Sequence, residues 1–249
     1  MLTQLAGFQD EQKLLGKFVR LEDIEAPTSV VADPTARRQL ASPKGQLDFT
    51  IVTEFVKHLL DDPLVAEAQC RMLLGPSLWK SRFQNHDVTT FSEKGGKSKM
   101  WSRVPGRSEA KERIVEDNKI LEVIGVALLS QGIADVGHYV AYKVDFSTDI
   151  VTVYESLEGE GNLPQENFIE AAKEIAIFLG KPRKPYTCEV KKIAKQQNGF
   201  DCGVYASLVV QQLSLGNEPE FCPESLVPAM RGQMMLSLIT GKTYDKKEQ

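Results

Sequence analysis

Histidine is scarce in this chain: 249 residues contain three, His58, His86 and His138. Any chemistry that needs an imidazole must draw on one of them. Cysteine is nearly as sparse. Cys70, Cys188, Cys202 and Cys222 are too far apart in sequence for the short spacing of a zinc site, so no metal centre is expected. Thiols without a disulfide framework suit a reducing compartment, which predicts an intracellular protein of cytoplasm or nucleus, including the host-cell interior for an injected effector. No stretch approaches the roughly 20 apolar residues of a membrane-spanning helix. The first residues, Met1 to Gly7, lack the basic start and continuous apolar core of a secretory leader. Charge of one sign is missing too. A net charge of −4 gives no reason to expect nucleic acid or an anionic membrane as partner. What remains, 42% hydrophobic and 26% charged residues, describes a globular chain with enough apolar matter for a substantial core. A monomer is expected.

The richest segment is Gln196-Gln197-Asn198-Gly199-Phe200-Asp201-Cys202-Gly203-Val204-Tyr205. Cys202 follows an Asn-Gly turn and opens a run (Val204, Tyr205, Leu208, Val209, Leu213) with the apolar spacing of a buried helix. At a helix start, unpaired N–H groups and the positive end of the macrodipole favour thiolate over thiol. Such a cysteine can attack a carbonyl if a base is supplied.

His58 falls in an amphipathic stretch, Ile51 to Leu60, and reads as a helix-surface residue; His86 lies in a polar loop, Gln84 to Asp87. His138 differs. It begins the strand-like Tyr139 to Phe146, and a second strand, Ile150 to Tyr154, follows a Ser147-Thr148-Asp149 turn and ends at Glu155. Antiparallel neighbours joined by a short turn bring the start of one beside the end of the next. His138 and Glu155 are therefore expected side by side, a carboxylate orienting an imidazole, with Cys202 as third member.

Residues 1–43 read as an N-terminal extension and linker, with a possible helix over Asp10 to Arg20 and a linker-like stretch from Ala26 to Pro43. Residues 44–241 form the expected main domain and 242–249 a polar tail. Helices are predicted over Gln46 to Leu60, Leu64 to Leu74 and Asn167 to Leu179, and strands over Ile120 to Ser130 and Tyr186 to Ile193. Ser92 to Arg113 is polar and basic, either a solvated surface loop or a docking site. The pattern is α+β, a small sheet clasped by helices with the chemistry at one edge.

The Gln196 to Tyr205 segment resembles the Gln-x-Asn-x-x-Asp-Cys-Gly motif of the ubiquitin-like-protein proteases, the Ulp/SENP family of clan CE cysteine peptidases. Gly137 to Leu157 looks like that family's paired strands carrying His and acid, Leu47 to Leu60 its opening helix, and Cys222 to Thr240, with Arg231, its closing helix. The resemblance implies a papain-like clan CE fold, a small mixed sheet flanked by helices with the catalytic cysteine at a helix N-terminus. It implies Cys202 as nucleophile, His138 as base, Glu155 as the orienting acid (the family usually has Asp), and Gln196 as an oxyanion donor, with Gln197 its neighbouring competitor. It implies no metal and no organic cofactor. The partner it implies is a ubiquitin-like modifier, SUMO first and ubiquitin or another next, and its conjugates, cleaved after a C-terminal Gly-Gly. Tyr139 stands where the family has an aromatic wall of the Gly-Gly channel and Gln46 where it has a second indole, with Trp79 or Trp101 as possible replacements. Asn198 and Asp201 complete the candidate substrate contacts, Asp201 alternatively fixing the turn. The residues before His138, Gln131 to Val136, form an insertion atypical of the family.

Two other classes share parts of this pattern. Clan-related effector acyltransferases have a His-Glu-Cys order, but their cysteine surroundings do not resemble this motif. A catalytically idle modifier-binding module is disfavoured because every position of the expected triad is filled.

Overall fold

The computed structural model describes residues 34–42, 44–59, 71–74, 120–130, 137–157, 163–193, 196–219 and 224–240. The basic loop 92–113, the 131–136 insertion, His86, Trp79, Trp101, Cys70, Cys222, the 10–20 segment and the C-terminal tail lie outside these residues. In chain order the elements are helices α1 (Pro34–Ala41) and α2 (Phe49–Leu59), strands β1 (Arg71–Leu74), β2 (Glu122–Ser130), β3 (Gly137–Asp145) and β4 (Ile150–Glu155), helix α3 (Gln165–Phe178), strand β5 (Thr187–Lys192), helix α4 (Cys202–Ser214), a short 3-10 turn (Glu224–Leu226) and helix α5 (Val227–Thr240).

The five strands form one mixed sheet in sequence order. β2, β3 and β4 run antiparallel, while β1 pairs parallel to β2 and β5 parallel to β4. The β3–β4 hairpin owes its register to a local device. Asp145 Oδ1 accepts from Ser147 N and Oγ at 2.8 and 2.6 Å and from Thr148 N at 3.3 Å, and Asp149 takes a left-handed φ of 59°. Asp tolerates that region better than most residues, which makes the turn readable from sequence.

Both faces of the sheet are covered, so β3 and β4 are buried almost throughout. One face, with Ile124, Val126, Tyr139, Ala141 and Tyr154, joins Ile51 and Phe55 of α2, Val204 and Val209 of α4, and Met230 and Met234 of α5 in one core. The other, with Val123, Val140, Tyr142 and Val153, packs on Phe168, Ala172 and Ile175 of α3. The result is three layers, with α4 so enclosed that 11 of its 13 residues are buried.

The sequence expectations are corrected at three places. Arg71 to Leu74 is a strand rather than the end of a helix, because its backbone pairs with Glu122 to Gly125 of β2, a partner just over fifty residues away. Pro34 to Ala41, read as linker, is a helix with Leu40 in the core; a proline in the first helical position suits the N-terminus. His58 is buried, 7% exposed, rather than on the helix surface.

Candidate active site

The hairpin sets the first pair. Ala141 lies opposite Tyr154, so Glu155 stands one step further along β4 and on the same face as His138, diagonally across from it. His138 Nε2 and Glu155 Oε1 are 2.8 Å apart, and Oε1 also accepts Leu157 N at 2.7 Å. Both side chains are largely buried, 7% and 12% exposed. With Nε2 committed to Glu155, Nδ1 is the nitrogen left for Cys202, which forms a side-chain hydrogen bond with His138. Burial alone would lower the His138 pKa, but the hydrogen bonds to Cys202 and Glu155 and their negative charges outweigh it, raising it from 6.5 to about 9.

Helix α4 delivers the thiol. Cys202 is its first residue and 1% exposed. Asp201 is the N-cap, yet its side chain accepts none of the first-turn amides. Its carboxylate turns away, with Oδ1 accepting Arg231 Nε and Nη2 at 3.0 and 2.5 Å and Oδ2 accepting Asn198 Nδ2 at 2.7 Å. Gly203 lets the helix start lie flat on the sheet, since a Cβ there would come within 3.3 Å of both Leu47 Cβ and Tyr139 Cδ2. The approach between the cysteine helix and the histidine strand depends on that missing methyl.

Strand β5 carries Gln196 to the same edge. Beyond its pairing with β4, Ile193 N donates to Glu155 O at 3.2 Å and Gln196 N to Ser156 O at 2.7 Å. The buried Gln196 amide is then fixed at both ends: Oε1 accepts Ser156 Oγ at 3.0 Å and Nε2 donates to Asn198 O. A carboxamide nitrogen has two hydrogens, so one N–H is left over by valence.

The expected substrate contacts are placed differently from one another. Gln46 Nε2 donates to Gly137 O at 2.8 Å, so it ties the loop before α2 to the residue preceding His138. Tyr139 is 2% exposed and shares a core with Leu47, its ring against Gly203. Its burial, with the charges of Asp48 and Cys202, pushes the phenol pKa far up. Asn198 and Asp201 direct their side chains into the protein. Asn198 Oδ1 accepts Phe200 N and Asp201 N, both at 3.0 Å, and Nδ2 also reaches Glu224 Oε1 at 3.2 Å. They shape the cysteine loop.

Sequence reading missed Ser156 and the pairing of Arg231 with Asp201. Ser156 had a signal, its place beside Glu155; the tie between Arg231 and Asp201, thirty positions apart, had none.

Residues 128–240 match the model of the Ulp1 protease family, C-terminal catalytic domain. Among solved structures, the Chaetomium thermophilum Ulp1-like SUMO protease catalytic domain superposes with a TM-score of 0.63 at 15% identity, covering 96% of this chain and 90% of that one. The SUMO protease Ulp1 with its catalytic cysteine oxidised to a sulfonic acid gives 0.63 at 13% identity over 94% of each chain. The Ulp1 protease domain in complex with Smt3, the yeast ortholog of SUMO, gives 0.57 at 13% over 82% of each. No curated protein matches the chain at a significant level. At these identities the structural likeness is one of fold, an α+β clan CE arrangement. Together with the family model matched over residues 128–240, it supports a thiol peptidase whose catalytic domain is similar to that of the Ulp1 protease family.

Proposed function

We propose that the protein is a cysteine isopeptidase and endopeptidase that cleaves after the C-terminal Gly-Gly of a ubiquitin-like modifier, through Cys202, His138, Glu155 and Gln196. The observation that carries the reading is the 2.8 Å pairing of His138 with Glu155, hydrogen-bonded on to a cysteine at the first turn of a buried helix. SUMO is the first candidate modifier, because an Ulp1 domain of the same fold is known in complex with Smt3; ubiquitin is the next.

In this mechanism His138 holds the Cys202 proton, giving an imidazolium–thiolate pair, while Glu155 fixes the ring through Nε2. The thiolate sulfur attacks the carbonyl carbon of the terminal glycine, forming a C–S bond and a tetrahedral oxyanion. The Cys202 backbone N–H and the second amide N–H of Gln196 stabilise that oxygen, each donor contributing on the order of 3 kcal/mol. His138 protonates the leaving lysine amine or peptide nitrogen as the C–N bond breaks, and water hydrolyses the thioester. Gln46, bonded to Gly137 O, braces the start of the strand that carries His138.

The test uses SUMO and ubiquitin carrying a C-terminal electrophile in place of the terminal carboxylate. Wild type is expected to form a covalent adduct at Cys202 with SUMO ahead of ubiquitin, and Cys202→Ser to form none while melting at the same temperature. Cys188 does not compete, because burial and the nearby Glu166 and Glu189 raise its thiol pKa to about 11. An adduct on any other cysteine, or undiminished labelling of the serine variant, would overturn the assignment.

A further inference from the structure

Resting on the reading of Cys202 as nucleophile, we propose that Arg231 is a positioning residue for the attacking thiol. Its guanidinium, brought from α5, cancels the Asp201 carboxylate at the N-cap of α4, so that the thiolate forms beside a neutral pair instead of beside a second anion.

The arrangement starts from a conflict in the motif. Asp201 directly precedes Cys202 and is 3% exposed. A buried carboxylate one residue away opposes ionisation of the thiol, because two like charges at low dielectric repel. An N-cap aspartate ordinarily points at the first-turn amides, and here it does not. Arg231, itself 2% exposed, draws the carboxylate toward α5 with Nε and Nη2 on the same oxygen, while Asn198 occupies the other. Two consequences follow. The aspartate charge is compensated, and its carboxylate oxygens are kept off the Cys202 and Gly203 N–H groups, while Val204 N and Tyr205 N donate to the Asp201 backbone carbonyl at 2.9 and 3.1 Å.

The guanidinium is held in this pose from behind. Nη1 donates to Gln39 O at 3.1 Å, in the last turn of α1, and Nη2 to Gly45 O at 2.6 Å, in the segment joining α1 to α2. A planar fork serves a carboxylate and two carbonyls at once; a lysine ammonium has the charge without that geometry. Gln39 Oε1 also accepts Asp48 N at 2.8 Å, and the joining segment carries Gln46, bonded to Gly137 O. Arg231 thus joins the cysteine helix to the stretch that braces the histidine strand.

Other charged groups bear on Cys202. His138 comes from β3, Glu155 from β4, Asp48 lies before α2 with its charge felt at Tyr139, and Glu224 reaches Asn198 from the 3-10 turn. All four are the same in the variants below, so differences among those variants report Arg231 and Asp201.

The measurement is the pH dependence of Cys202 alkylation by iodoacetamide in the full chain, located by peptide mass, for wild type, Asp201→Asn, Arg231→Gln, Arg231→Lys and the Asp201→Asn/Arg231→Gln pair. The midpoint should rise by about one pH unit or more in Arg231→Gln, a roughly tenfold loss of thiolate at a fixed pH on the ionising limb, and fall in Asp201→Asn. It should return near wild type in the double variant. Arg231→Lys should lie between wild type and Arg231→Gln. A merely structural role would not produce this ordering or its reversal. Melting curves identify folded variants; if Arg231→Gln does not fold, the near-isosteric Asp201→Asn and the charge-keeping Arg231→Lys decide. Unchanged midpoints in the folded variants, or a rise in Asp201→Asn, overturn the proposal. Wild-type alkylation that avoids Cys202 would sink the nucleophile reading first, and the inference with it.

Discussion

Two charged pairs flank Cys202, and they are built to opposite ends. His138 and Glu155 meet at 2.8 Å with side chains 7% and 12% exposed; Arg231 and Asp201 meet at 2.5 Å with 2% and 4% exposed. The first contains an imidazole, which can take up and release a proton, and the second a guanidinium, which cannot. In the proposed mechanism the first acts on Cys202 directly. The second does so through the turn and the charge of the residue before it. A pair that must exchange a proton keeps one titratable partner and some contact with solvent. A pair that must only hold is sealed and given every hydrogen bond it can use. Breaking the two should therefore produce different failures.

The largest effect is expected at the titrating pair. Glu155→Gln keeps the shape but removes the charge and the fixed hydrogen-bond polarity, so turnover should fall on the order of 10³–10⁴-fold while the melting temperature changes little. Its pH profile should also move. With His138 raised to about 9, the alkaline limb of kcat/KM should fall near that pH in wild type, and Glu155→Gln should shift it to lower pH because one cause of the raised pKa is gone. Stability has the same sign: the His138 contribution is fully present below the ordinary value of 6.5 and is lost as pH rises through about 9. Glu155→Asp, one methylene shorter, should recover part of the rate. A Glu155→Gln enzyme with near-normal turnover would erase the distinction between the pairs.

The same contrast governs what could be read in advance. The β3–β4 hairpin is local, with turn chemistry at Asp145 and Asp149, so the meeting of His138 and Glu155 was legible from spacing alone. The Cys202 helix was legible from its apolar run. The Arg231–Asp201 pair was not, because nothing near either residue announces a partner thirty positions away. β1 failed for a related reason: Arg71 to Leu74 is apolar enough for either state, and only pairing with distant β2 decides it. Tyr139 was legible as an aromatic beside the histidine, but its burial depends on Gly203 and Leu47 arriving from two other elements. Proline and small residues suggested a linker at 26–43, where the α1 stretch instead buries Leu40 and offers Gln39 O to Arg231.

Arg231→Met should fail as the holding pair fails. It leaves Asp201 buried and unpaired and two backbone carbonyls without their donor, a loss of about 3–5 kcal/mol in unfolding free energy measured by urea titration. Adding Asp201→Asn should return a substantial part of that, since the stranded charge is then gone. The ratio of activity loss to stability loss sharpens the comparison. Glu155→Gln should be dominated by activity and Arg231→Met by stability. Equal stability losses in both would mean that the two pairs differ in ionisation only, and not in structural role.

The smallest effect separates two glycines of the one motif, Gly199 and Gly203. A Cβ at Gly199 would meet nothing within 4 Å, and its backbone φ does not require glycine. Gly199→Ala should therefore change stability by less than about 0.5 kcal/mol and leave turnover intact, with a slight gain possible because alanine restricts the unfolded chain. Gly203→Ala places its methyl 3.3 Å from Leu47 Cβ and from Tyr139 Cδ2, neither at the free end of a flexible chain. Helix α4 must then lift from β3, at a cost of about 1–3 kcal/mol. Lifting the helix also separates Cys202 from His138, so the rate should fall by more than the stability loss alone explains. The discriminating measurement is kcat at a temperature where both variants are fully folded. Parity between the two would mean that the cysteine–histidine approach does not depend on the bare glycine, and that the site tolerates a helix standing off the strand.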